Sequence, residues 1–169
     1  MSTTSAEFEK ATDYSFKEED IERAKALVGK YGSSGAREHL TTATHDSMRN
    51  FARSYGDDNP LFNSEHYGEG TRWGAQIAPP MIAIGLNRPL YEDPPEERVK
   101  RPSFRGIHVF VSGSTWTWYR PLVEGDQLYS FGGTESVIEK KSEFAERSVL
   151  VTYASVKLNQ RGELVGISR

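Results

Sequence analysis

Residues able to do chemistry gather between Phe51 and Gly85, in the run FARSYGDDNPLFNSEHYGEGTRWGAQIAPPMIAIG. Asp57 and Asp58 follow Gly56 and precede Asn59-Pro60. An acid in that setting either bonds nearby backbone amides in a turn or serves as an active-site carboxylate. Both readings stand for Asp57, whereas Asp58 is expected to be solvated. Of the four histidines, His39, His45, His66 and His108, no two have the HxxxH spacing or another that suits a shared metal ion. His45 falls in the first turn of a helix, where a surface or capping role is expected. His66, within SEHYGEG, is an alternative candidate base, although a histidine there more often has no functional role. His108 shares a strand face with Phe110, Trp116 and Trp118, so a partly buried, hydrogen-bonded ring is expected there. No serine sits in a GxSxG elbow, and no GxxxxGK[ST] or GxGxxG phosphate loop occurs. The absence of cysteine removes thiol catalysis, disulfides and zinc-thiolate sites.

The elements that must hold these residues change character along the chain. Residues 1 to 17 read as a flexible arm. Residues 18 to 31, EEDIERAKALVGKY, place Ile21, Ala24, Leu27 and Val28 on one side of a helix, with acids in its first turn and Gly32 and Gly35 to stop it. A second helix fits THDSMRNFARSYG: Thr44 caps it, Met48, Phe51, Ala52 and Tyr55 form its apolar stripe, and Gly56 ends it. Pro79-Pro80 opens a third, PPMIAIGLNR, apolar on nearly every side as a helix buried against a sheet should be. The period then changes from 3.6 to 2. GIHVFVSGSTWTWY reads as one long strand, LYSFGGTESVIEKK and ERSVLVTYASVKLN as two more, and NQRGELVGIS as a hairpin into a fourth. Gly132-Gly133 suggests a bulge. Helices first and antiparallel strands after give an α+β domain over residues 18 to 169, one central helix packed on a long sheet.

Composition narrows the function classes. Net charge is −3 and 36% of residues are hydrophobic, enough for one core and too acidic for a nucleic-acid or anionic-membrane footprint. The local run RVKRPSFR, with Arg98, Lys100, Arg101 and Arg105, could meet a nucleotide phosphate or an acidic carrier, or could be a solvated surface. Trp73, Trp116 and Trp118 suit a core or a ligand tunnel better than base stacking. No stretch of 18 apolar residues occurs and the first 17 residues lack a signal peptide's apolar core, so a cytoplasmic location is expected.

With those residues placed, the chain resembles the MaoC-like hot-dog hydratases and dehydratases, in particular their N-terminal dehydratase-like (FAS1-type) domains. Three stretches carry the likeness: GDDNPLF at Gly56–Phe62, GAQIAPPM at Gly74–Met81, and STWTWYRPLVEGDQL, an aromatic-x-Arg-Pro strand followed by a Gly-Asp turn. The first two correspond to the family's GDxNPxH loop and its GxxIAHGM helix start. The resemblance implies a hot-dog fold and a mechanism in which the loop's Asp and His share one water or hydroxyl while amides at the helix N-terminus hold the thioester oxygen.

Carried across, the match departs at the chemistry. Asp57 falls on the catalytic Asp, but Phe62 falls on the catalytic His, Pro79 on the His before the oxyanion glycine, and Pro80 on that glycine. Phenylalanine moves no proton and proline has no N–H. The resemblance therefore implies an enoyl-CoA hydratase subunit, a lyase half of the kind that heteromeric hydratases of steroid-degrading and mycolate-synthesising bacteria use to make room for a bulky acyl chain. Its partner is expected to be a catalytically complete MaoC-like subunit, in a heterodimer or a dimer of heterodimers, with no cofactor or metal and an acyl-CoA or acyl carrier protein thioester as substrate. Phe62, Trp73 and Met81 are the expected lining. Three alternatives stand beside it: a homodimeric hydratase with its base relocated to His66 or His108, a hot-dog thioesterase, and a non-enzymatic acyl-CoA-binding protein.

Overall fold

The computed structural model describes residues 16–33, 40–86, 88–89, 100–104, 106–143 and 146–169, without the side chains of residues 88, 89 and 142. Of the expected arm only residues 16 and 17 fall within this set, and there the Phe16 ring meets Phe104 edge-on at 5.5 Å. Helix α1 (Glu18–Lys25) buries Ile21 and Ala24. Lys25 bonds Glu139, and Arg147 bridges Glu18 and Glu139, tying α1 to the sheet. The helix ends six residues earlier than its periodicity suggests, because the edge of β4 (Leu128–Ser142) captures the chain. Gly29, at φ 79°, donates its N–H to Thr134 O at 2.9 Å and turns the backbone into β1 (Tyr31–Ser33).

β1 runs antiparallel to β4 with Tyr31 opposite Gly133. A Cβ on Gly133 would lie 2.1 Å from Lys30 O, so the glycine allows a close backbone approach. The expected bulge is displaced accordingly: the register of β4 against β5 (Glu146–Asn159) shifts between Thr134 and Ser136. β6 (Leu164–Ser168) follows a hairpin, and β3 (Trp116–Trp118) closes the order β1-β4-β5-β6-β3. The two-residue β2 (Arg88–Pro89) runs parallel to β4 at Tyr129 and Ser130. A register shift after Lys157 leaves Val165 outside the ladder and fully buried.

α2 (His45–Ser54) begins as its sequence suggests, with Thr44 and Ser47 forming a reciprocal capping box. Its Met48 and Ala52 are buried, Phe51 is half-buried, and Tyr55 is exposed. Met48 packs with Ile82, Leu86, Leu122, Leu128 and Val165 in the core. α3 (Pro60–Asn63) and α4 (Glu65–Glu69) are short turns of helix before the segment that was expected to be the central helix.

That segment and the longest expected strand both differ from their sequence patterns. The third helix is a five-residue 3-10 turn, Pro80–Ile84, with Ile82 and Ala83 buried but Met81 and Ile84 exposed. Pro79 is held extended by the proline after it, two successive residues supply no donor, and the bonds from Ile82 N to Pro79 O and from Gly85 N to Ile82 O span three residues. The burial of one helix against the sheet is thus shared between this turn and α2. In the expected strand over residues 106 to 119, only 116–118 join the sheet. The ladder with β6 stops where Thr115 and Arg169 exchange N–H···O bonds at 2.8 Å. Beyond it residues 107–114 join no strand among the described residues, and Val109, Phe110 and Val111 are 81%, 84% and 91% exposed. His108, expected to be partly buried, is exposed and stacks on Phe110 at 6.5 Å.

Candidate ligand cavity

The GDDNPLF loop is organised by its own side chains. Asp57 Oδ1 accepts from Asn59 N at 2.9 Å, and Asn59 Oδ1 accepts from Leu61 N at 3.1 Å, capping α3 with Pro60 in its first turn. Asn63 Nδ2 donates to the carbonyls of Asp57 and Asn59 at 2.9 and 3.0 Å. Asp57 is half-buried and is engaged in turn chemistry.

The next layer is built around Gln76, which is buried. Its Nε2 donates to Phe62 O at 2.5 Å, and its Oε1 faces His45 Nδ1 at 2.8 Å. His45 Nε2 reaches Glu124 Oε2 at 2.5 Å, and Glu65 Oε1 lies 3.4 Å from Nδ1. The sequence suggested a surface or capping histidine. Instead His45 joins α2, α4, the Gln76 segment and the turn after β3, an arrangement no local pattern encodes. Gly68 permits the close contact, since a Cβ there would sit 2.3 Å from Gln76 N. Backbone bonds from Ile77 N to Leu61 O (3.1 Å) and from Ala78 N to Leu122 O (2.8 Å) lock the same walls together.

Between these walls lies a cavity of about 270 Å³. Phe62, Trp73, Ile77, Ala78, Pro80 and residues 118 to 122 line it. Arg72 stacks on Trp73 with 4.3 Å to the ring centre, and Trp116 stacks on Trp118 at 5.1 Å. Of the three residues expected as lining, Phe62 and Trp73 are there and Met81 is not; the 3-10 geometry turns Met81 to the surface. Neither Asp57 nor His66 lines the cavity, and His66 is fully exposed with Glu69 at 3.8 Å. Among the basic residues, Arg98 and Arg105 lie outside the described residues. Lys100 is exposed, and Arg101 stacks on the Tyr153 ring at 4.2 Å.

Two polar groups that motif reading left without a role emerge here. Arg120 is the one charged residue among the lining residues described, and its Nη1 pairs with Glu163 Oε2 at 2.5 Å. Asn159, Arg161 and Arg120 all bond the Glu163 carboxyl and hold it down at about 2. The Arg-Pro pair that accompanies the resemblance marks Arg120 but not this partner, which comes from the hairpin after β5. Lys157, on β5 opposite Ser130, is buried with its Nζ 3.0 Å from Ser130 Oγ, and burial lowers its ammonium to about 8. Chemically, the cavity can enclose an apolar group. The described lining holds no imidazole or carboxylate, and Pro80 offers no amide at the helix start.

The comparisons agree on the architecture. The family model described as FAS1-like, dehydratase domain region, matches residues 32–167. The ChsH1-ChsH2 complex of Mycobacterium tuberculosis has a chain that superposes with a TM-score of 0.65 at 18% identity, covering 89% of this chain and 90% of that one. The truncated HadBC (3R-hydroxyacyl-ACP dehydratase) complex of the same organism gives 0.57 at 21% identity, with 84% and 93% covered. A MaoC-like dehydratase from Rhodospirillum rubrum gives 0.56 at 22%, with 83% and 87% covered. No curated protein sequence matches this chain. The α+β hot-dog fold is common to these neighbours.

Proposed function

The chain belongs to the FAS1-like dehydratase family, and from that premise we propose that it is the non-catalytic subunit of an enoyl-thioester hydratase or 3-hydroxyacyl-thioester dehydratase. It shapes the acyl-binding cavity while a MaoC-like partner subunit supplies the Asp-His pair. The observation that carries this reading is the identity of two lining residues: Phe62 and Pro80 stand in the cavity where the resemblance calls for a base and an amide donor. The alternative bases, His66 and His108, are exposed and off the cavity. A partner also fits the exposed run at Val109–Val111, whose unpaired backbone continues the β3 edge with β-branched and aromatic residues. Two of the structural neighbours are themselves two-protein complexes. A thioester of CoA or of acyl carrier protein is the substrate class, with Lys100 and Arg101 as the cations offered to its phosphate or carrier.

The test is a hydration assay on the purified chain alone, on a MaoC-like candidate partner alone, and on the co-purified pair, following loss of the conjugated thioester absorbance of linear and fused-ring enoyl-CoAs. Bulky substrate turned over by the pair and by neither component alone is the expected result. Turnover by this chain alone would overturn the reading.

A further inference from the structure

Beside the Tyr119 hydroxyl and the indole N–H groups of Trp73 and Trp118, Arg120 is the one charged group among the described lining residues, and its charge is not free. Arg120 carries five N–H donors, and among the described residues its one recorded partner is Glu163. Glu163 Oε2 also takes Asn159 Nδ2 at 2.6 Å and Arg161 Nε at 2.8 Å. Arg161 in turn reaches the buried Asp126 at 3.3 Å. Two guanidinium groups thus face two carboxylates, and the cluster is neutral. An unpaired arginine at the rim of an aromatic cavity would draw an anion. A paired one keeps N–H groups free to donate but offers no net attraction for a second carboxylate, which would lie close to Glu163 and be repelled by it.

We propose that Arg120, neutralised and oriented by Glu163, is the polar anchor of this cavity and selects an apolar occupant bearing one uncharged oxygen acceptor, a keto, hydroxyl or thioester oxygen, over one ending in an anion. The inference rests on the reading that the cavity receives an acyl group, and narrows that group to a neutral, oxygen-bearing one. Glu163 is the positioning residue. It pairs with the guanidinium of this lining residue from a hairpin fixed by Asn159, whose Oδ1 accepts from Arg161 N and Glu163 N at 3.0 Å each.

The experiment measures quenching of tryptophan fluorescence in the full chain by three probes of similar size: decalin, 2-decalone and decalin-2-carboxylate. The unmodified chain should bind the ketone more tightly than the carboxylate. Arg120→Met should lower ketone affinity about tenfold or more, the usual yield of a hydrogen bond to a charged group, and leave decalin unchanged. Glu163→Gln should raise carboxylate affinity relative to the ketone, an outcome that loss of packing would not produce. Carboxylate bound more tightly than ketone by the unmodified chain overturns the proposal without any variant. Decalin and ketone falling together in Arg120→Met overturns it as well. If no probe binds, the proposal fails and the cavity role fails with it. The three-way hydration assay judges the subunit reading separately.

Discussion

Lys157 allows the sharpest test of the structure. Its side chain is 6% exposed and its Nζ has one recorded partner among the described residues, the Ser130 hydroxyl at 3.0 Å. Burial lowers its ammonium from 10.5 to about 8. Below pH 8 the lysine is protonated in both the folded and unfolded states, and folding carries a constant desolvation penalty. Between about 8 and 10.5 the unfolded chain still holds a proton that the folded chain has released, so stability must rise with pH. At about 1.4 kcal/mol per pH unit, that window has a ceiling of about 3 kcal/mol. In Lys157→Met the penalty and the rise both vanish. The variant instead leaves the Ser130 hydroxyl without its partner, a loss of about 1 to 3 kcal/mol. At pH 7 the relief of the penalty equals or exceeds that loss. The variant should therefore match the parent or lead it by up to about 2 kcal/mol at neutral pH, and fall behind it by about 1 to 3 kcal/mol at pH 10.5, a relative change of about 3 kcal/mol. Urea unfolding of both proteins at half-unit steps from pH 7 to 10.5 provides the assay, and groups common to both drop out of the difference. A difference that stays flat across the window would refute the burial of this ammonium.

Other consequences follow from single features. Thr44→Ala removes the capping box of α2 and should lower stability by about 1 kcal/mol, read from the urea midpoint, with Thr44→Ser restoring most of it. Phe110→Lys places a charge at an 84% exposed position, so the lone chain should melt unchanged while co-purification with a MaoC-like partner is lost; an intact complex would remove this edge from the interface. Phe62→His alone should remain inactive in the enoyl-CoA assay, because Pro80 still supplies no amide, a donor typically worth about 100-fold or more in rate. Phe62→His combined with Pro80→Gly should raise hydration above the background of either single change. Activity from Phe62→His by itself would show that the missing amide is immaterial.

Much of the site was legible before the structure because it depends on residue type. Phenylalanine and proline at positions 62 and 80 state what chemistry is missing wherever the chain folds, and Thr44 and Gly56 bracket α2 by local rules. Local patterns misled where the outcome depended on what lies alongside. Residues 79–88 look helical by apolarity, yet two prolines and a bridge between Leu86 and Leu40 leave one 3-10 turn. Residues 106–119 alternate like a strand, but a strand needs a neighbour, and the ladder stops at Thr115. Ile21 and Ala24 make α1 amphipathic, but the competing edge of β4 decides where it ends.

The sequence by itself determined the α+β composition, the place of the long antiparallel strands after the helices, the two short motifs, and the absence of a base and an amide donor at their matching positions, but not the short β1 between the first two helices. Those are properties of side-chain chemistry and of periodicities that act within a few residues. Only the tertiary structure decided that Phe62, Trp73 and Pro80 share one cavity with Arg120, that Glu163 neutralises this arginine from the hairpin after β5, and that His45 ties the cavity loop to the turn carrying Glu124. The partners in each case are separated by 40 to 79 positions in the chain. Their meeting is set by strand register and by the packing of α2 on the sheet, and no spacing rule reaches across such distances.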